Sequence, residues 1–232
     1  MTATLSRKAA AELIGTAFLV TAVVGSGIAA QRLSPGDRGL QLLENSIATG
    51  AVLVALILAL QPVSAAFNPV VTLVERALGR LGNAETAVLV GAQLVGGVLG
   101  TVVANLMFEL DAVSISGHHR GSSGTLLGEV VATFGLVVLI FGSLRSGRAE
   151  TVALTVGGYI AAAYWFTSST SFANPAVAVA RMLSDTFAGI APASVPGFVL
   201  MQLLGGALAL PAVRLLDPDL GSASTPRSRA AR

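Results

Sequence analysis

The chain has 232 residues, 53% of them apolar and only 11% charged, with a net charge of +2 and a mean hydropathy of +0.78. A soluble domain carries about a quarter charged residues, which argues against a soluble globular enzyme, whereas at roughly 20 apolar residues per crossing the length holds about six transmembrane helices. No cysteine is present, which removes disulfides, thiolate nucleophiles and Cys-ligated metals, and scattered basic residues with two tyrosines and one tryptophan give nucleic acid little to bind.

Residues 1–8 form a short basic N-terminus. The apolar run behind it continues past signal-peptide length and has further runs after it, so it reads as a retained helix. Long apolar runs at 9–30, 46–63, 84–108, 125–144, 151–168 and 196–216 predict six spanning helices. Two further apolar segments, near 64–79 and 170–190, are too short to cross and are broken by Asn68-Pro69 and Asn174-Pro175. The longest loop, Asp111 to Gly124, holds His118-His119-Arg120; a third ligand at metal-binding spacing is missing, so a solvated loop is expected, with no metal and no cofactor. Residues 217–232 are small, polar and basic, and are expected to be a disordered cytoplasmic tail.

Orientation follows from basic residues. With both termini cytoplasmic, the inner segments hold Arg7, Lys8, Arg76, Arg80, Arg145, Arg148, Arg214, Arg227, Arg229 and Arg232, against Arg32, Arg38, Arg120 and Arg181 outside. That excess favours termini on the inside.

Two halves of the chain align. AELIGTAFLV from Ala11 matches GEVVATFGLV from Gly128, pairing Glu12 with Glu129; Asn68-Pro69-Val70 matches Asn174-Pro175-Ala176; AQLVGG from Ala92 matches MQLLGG from Met201, pairing Gln93 with Gln202. Three spans per half is an odd number, so the second copy enters the membrane from the opposite side and the repeats are inverted. Each Asn-Pro is a helix start, because Asn caps well and Pro suits the first helical position. Pro69 to Leu78 would span ~15 Å, half of a hydrocarbon core ~30 Å thick; its twin runs from Pro175 to about Met182. Non-helical backbone at that depth is tolerated where it is buried in protein or lines a wet cavity. Two facing helix N-termini, each with roughly half a positive charge, would repel cations and protons at the midplane and admit a neutral solute. The Asn carbonyl is occupied by capping, which leaves its NH2 to donate to a passing oxygen.

The paired Asn-Pro boxes, the Glu and Gln landmarks and the inverted halves resemble the major intrinsic protein family, the aquaporins and aquaglyceroporins, over about residues 9–215. The resemblance implies an aquaporin-like channel domain at 9–216, with repeats at about 9–108 and 125–216, in an all-α membrane protein of six transmembrane helices and two re-entrant half-helices. It also implies a homotetramer with one pore per subunit, surrounded by lipid in a bacterial plasma membrane. Glu12 and Glu129, as charges inside spans, are suspects for a proton relay; their symmetry and the family point instead to accepting hydrogen bonds from the backbone ahead of each half-helix.

Two departures stand out. Val70 replaces the usual alanine of the first box, and Val177 stands where family members usually carry an arginine after the second. Counting without gaps places the family's filter at Ala48, Ala162, Ser171 and Val177, with Thr49 replacing Ala48 if the register shifts by one. These are small, uncharged residues, so a wide filter without ring or guanidinium is expected. Arg181, one turn farther along, could reach back as a substitute or face outward toward Asp185. The expected function is a passive channel for small uncharged solutes such as glycerol-like polyols, urea and, by similarity to bacterial aquaglyceroporins associated with arsenic resistance, neutral arsenite and methylated arsenicals, with some water. The alternatives are a secondary transporter, which also uses inverted repeats and broken helices, and a water-selective aquaporin. A membrane-embedded enzyme lacks the groups for nucleophilic or metal catalysis.

Overall fold

The computed structural model describes residues 3–144 and 149–216. Arg145, Arg148, Arg227, Arg229, Arg232 and the tail 217–232, which entered the expectations above, lie outside the described residues. Eight α-helices are described: α1 (Leu5–Leu33), α2 (Arg38–Leu60), α3 (Pro69–Ala77), α4 (Asn83–Met107), α5 (Ser123–Leu144), α6 (Ala149–Phe166), α7 (Pro175–Arg181) and α8 (Val195–Leu216), with a 3-10 turn at Pro192–Ser194 before the last.

Helices α1 and α2 start where capping allows, which is earlier than hydropathy alone indicates. Thr4 accepts from the Arg7 amide ahead of α1, and Asp37 accepts from the Leu40 amide at 2.9 Å ahead of α2. The polar first turns of α2 are stable because their amides find buried acceptors: Gln41 donates to the Ser34 carbonyl at 2.8 Å and Asn45 to the Val23 carbonyl at 2.9 Å. Five helices, α1, α2, α4, α5 and α8 (the last taken with its 3-10 turn), are long and apolar enough to cross a membrane. The sixth expected span, α6, is not among these. Its 18 residues include Glu150, Tyr159, Tyr164 and Trp165, yet it lies against α2 and α5 in the same bundle.

Two faces can be assigned from contacts. Lys8 Nζ meets Glu85 Oε1 at 2.7 Å and Arg214 donates to the Ala77 carbonyl at 3.1 Å, which gathers the start of α1, the start of α4 and the ends of α3 and α8 on one terminal face. On the far face, Arg32 donates to the Phe108 carbonyl and Asn105 to the Leu183 carbonyl at 3.0 Å, joining the ends of α1, α4 and α7. The half-helices α3 and α7 therefore run outward from the middle to opposite faces. The pairs α1 with α4 and α5 with α8 are equivalent under the repeat, and α2 crosses α6 on the axis. Small residues set these close approaches: a Cβ on Gly205 would stand 2.7 Å from the Val130 carbonyl oxygen, and one on Gly96 would run into the carbonyl of Leu13, the equivalent residue. At the axis, Gly50 and Gly157 each sit against the other's carbonyl.

Candidate functional site

Each half-helix begins as its sequence directs. Asn68 is extended (φ −153°, ψ 117°) and its Oδ1 accepts from the Val70 amide at 3.0 Å; Asn174 is extended (φ −158°, ψ 112°) and its Oδ1 accepts from Ala176 at 3.0 Å and Val177 at 3.3 Å. Pro69 and Pro175 occupy the first helical positions. The helices are shorter by about a residue than expected, nine and seven residues.

The two boxes are joined across the axis. Asn68 Nδ2 donates to the Ala173 carbonyl and Asn174 Nδ2 donates to the Phe67 carbonyl, both at 2.7 Å. This corrects the expectation that each Asn NH2 is wholly free: one hydrogen holds the opposite loop, and one has no partner among the described residues. To offer those carbonyls, Phe67 (φ 46°) and Ala173 (φ 48°) adopt the left-handed region, which costs a non-glycine residue about 1 kcal/mol or more and persists because the surrounding bonds fix it.

Those bonds come from the two glutamates. Glu12 accepts from the Ala66 and Phe67 amides at 2.8 and 2.7 Å, from Ser64 Oγ at 2.5 Å and from Gln93 Nε2 at 2.7 Å. Glu129 accepts from the Phe172 and Ala173 amides at 3.0 and 2.9 Å and from Gln202 Nε2 at 2.5 Å, with the Ser169 hydroxyl also bonded to it. Both carboxylates are fully buried. They meet amide N–H groups that no helix or sheet ladder serves, and that a membrane interior would leave unpaired at a cost of several kcal/mol each.

Beside the boxes lies a cavity of about 640 Å³. It extends from Lys8, Glu75 and Leu144 at the terminal face, past Asn68 and Asn174, to Thr49, Tyr164, Phe172 and Arg181 toward the far face. One wall is aliphatic, with Leu53 and Ile57 of α2, Leu136 and Ile140 of α5, and Val152, Val156 and Ile160 of α6. The other is the non-helical run from Ser64 to Asn68 together with Ser171 and Phe172.

Of the four filter positions inferred by counting, Ser171 and Val177 line the cavity; Ala48 and Ala162 do not. Thr49 takes the place of Ala48, and Ile160 and Tyr164 face the cavity where Ala162, on the outer side of α6, is exposed. The reason is helical phase: residues 160 and 164 share a face, and a residue two positions away points in nearly the opposite direction. Tyr164, whose hydroxyl is 3.2 Å from Thr49 Oγ1, was legible only as an aromatic residue with a polar end that needs a buried partner. With Tyr164, Phe172 and Arg181 on its wall, this end does carry rings and a guanidinium, contrary to the four-residue expectation.

Arg181 is 2% exposed and faces the cavity. Its guanidinium carbon is 3.5 Å from the Phe172 ring centroid, and its Nε donates to the Ala188 carbonyl. The outward pairing with Asp185 is not present: Asp185 Oδ1 accepts from the Gly117 amide at 2.9 Å and lies 3.8 Å from His118 Nε2. The loop expected to be solvated is so only in part. His118 and His119 are exposed, but the strand of chain beside them is bonded to the end of α7, with the Ser114 and Ser116 amides donating to the Leu183 and Met182 carbonyls at 3.0 and 2.9 Å. Arg120 turns inward and donates to the Gly189 carbonyl at 3.0 Å. Its burial pushes the guanidinium below its ordinary range.

Comparison with known proteins agrees with this geometry. The family model described as "Major intrinsic protein" matches residues 1–161. The aquaglyceroporin AqpS of Rhizobium meliloti (strain 1021) is 50% identical over 216 residues, covering 92% of each chain. A probable aquaporin, NIP4-2 of Arabidopsis thaliana, is 28% identical over 158 residues, 66% of this chain and 55% of that one. Among solved structures, the X-ray structure of the aquaglyceroporin from Plasmodium falciparum superposes with a TM-score of 0.73 at 16% identity, covering 94% of this chain and 99% of that one. The expected resemblance and the expected fold are both borne out: the chain is an integral membrane protein and belongs to the major intrinsic protein family.

Proposed function

We propose that this protein is a passive channel of the aquaglyceroporin type for small uncharged solutes: glycerol-like polyols, urea, neutral arsenite and methylated arsenicals, with some water. The observation that carries the reading is the two-sided cavity, about 640 Å³ in volume, with an aliphatic wall facing a polar one and the two box asparagines at its middle. A polyol or a trihydroxy metalloid presents carbon or a compact centre on one side and hydroxyls on another, and so suits both walls at once. A bare cation would lose its hydration shell against the aliphatic wall and meet two helix N-termini. Val177, in place of a long cationic side chain, leaves room beside the second box. The half-identical relative is itself named an aquaglyceroporin, which favours this reading over a water-only pore.

On this proposal, Asn68, Pro69, Val70, Asn174, Pro175 and Ala176 form the central constriction, and Glu12 and Glu129 support the half-helices rather than relay protons. Residues 9–216 act as one channel domain in a homotetramer embedded in lipid, with both termini on the cytoplasmic side of a bacterial plasma membrane. The test is flux into proteoliposomes of purified protein. Linear, gradient-driven entry of glycerol, urea and arsenous acid is expected. Entry of water alone would replace the reading with a water-selective pore, and saturation with coupling to a proton or sodium gradient would replace it with a secondary transporter.

A further inference from the structure

Resting on that channel reading, we infer that selectivity at the far end of the cavity resides in Arg181, one helical turn beyond the position that follows the second box, with Arg120 as its electrostatic partner. Arg181 is almost wholly buried, faces the cavity, and is locked in plane by the Phe172 ring beneath it and by its bond to the Ala188 carbonyl. A guanidinium has five N–H donors. Only Nε is engaged by a described residue, and neither Nη is among the sealed, unpartnered atoms, so the Nη groups keep donors free where Arg181 lines the cavity.

Neither arginine has a neutralising carboxylate within 4.0 Å among the described residues. Asp185, the nearest acid in sequence, is turned toward His118 and Gly117. Arg120 places its guanidinium carbon 5.2 Å from the centroid of the same Phe172 ring and donates to the Gly189 and Phe187 carbonyls at 3.0 and 3.3 Å. The carbonyls of residues 187–189 thus hold both guanidinium groups beside one aromatic ring. Two positive charges with no carboxylate in contact, offset only at longer range by Glu129, repel cations in this partly desolvated setting. A neutral, oxygen-rich solute meets the Nη donors there. Val177 supplies the space and Arg181 the charge, two properties that a single arginine at position 177 would combine.

The experiment measures glycerol and water permeability by light scattering, and proton and potassium leak with entrapped dyes, in vesicles of the full chain. Arg181→Ala is expected to raise the cation leak at least about tenfold and to shift the glycerol-to-water ratio by about threefold or more. Arg181→Lys should keep the leak low while shifting the ratio, because the charge remains and the planar fork is lost. Arg120→Gln should raise the leak by a smaller factor. A parent-like leak and ratio in Arg181→Ala overturn the inference. If that variant does not fold, Phe172→Leu retains the charge and removes the ring that fixes its plane: a shifted ratio with low leak supports the inference, and a parent-like ratio overturns it. Failure of the parent protein to admit glycerol would instead count against the channel reading, and is seen before any variant is made.

Discussion

The two halves of the bundle share one hydrogen-bonded frame and carry unequal side chains. Glu12 and Glu129 hold equivalent loops, and Asn68 and Asn174 exchange equivalent bonds. Packing is different. In the first half, the large ring of Phe67 lies where Gly15 leaves room, and Val70 packs onto Gly206; in the second, the corresponding places are Ala173 with Ala132, and Ala176 beside Gly97. Apolar volume differs between the halves while the polar frame is the same. The polar groups cannot be traded, since an unpaired amide in a membrane interior costs several kcal/mol, whereas apolar volume tolerates compensated exchange.

The sharpest way to break this comparison is to alter the fixed part. Glu12→Gln and Glu129→Gln each replace a two-oxygen acceptor by a group with one acceptor and an opposed NH2, and each should cost about 3 kcal/mol through stranded N–H groups. Thermal unfolding in detergent, followed by circular dichroism, checks it; a marked inequality between the two would show that the frame is less symmetric than its geometry. Next, Gly15→Ala puts a methyl group into the Phe67 ring and should destabilise by about 2 kcal/mol. Adding Phe67→Ala recreates the arrangement of the second half and should recover part of that loss, a coupling that a double-mutant cycle measures directly.

Gly206→Ala meets Val70 and should cost about 1–2 kcal/mol, relieved by Val70→Ala. Gly97→Ala meets the Ala176 carbonyl oxygen at 3.1 Å, and trimming a side chain cannot remove a backbone atom, so the equivalent rescue is expected to be absent. The smallest effect belongs to Lys8→Ala at the terminal face. It removes a partly exposed ion pair with Glu85, and a loss below about 1 kcal/mol is expected in the same unfolding assay.

The frame was legible in the sequence because each of its members is a residue type with a narrow use. Asn followed by Pro starts a helix, a paired Glu inside apolar spans needs donors, and the recurrence of three landmarks in order fixes the inverted halves. The filter was less legible. Placing Ala162 depended on counting back from the second box across a stretch where Thr170, Ser171 and Ala173 all take positive φ and on helical phase in α6, where an offset of two residues reverses the face; placing Ala48 depended on a register in α2 that a shift of one moves to Thr49. Thr49 is the alternative that the sequence offered for Ala48, whereas Tyr164 and Phe172 came from the structure. Arg120 was hidden differently: nothing in a run of His118-His119-Arg120 distinguishes two exposed imidazoles from a guanidinium folded inward onto the turn at 187–189.

The crossed bonds between each Asn amide and the opposite loop bear on how the molecule works in time. A rocking cycle would have to rupture both at every turnover. The waist of the protein is accordingly a rivet and not a hinge, and a solute should cross it at the pace of its own diffusion, with flux that rises only gently on warming.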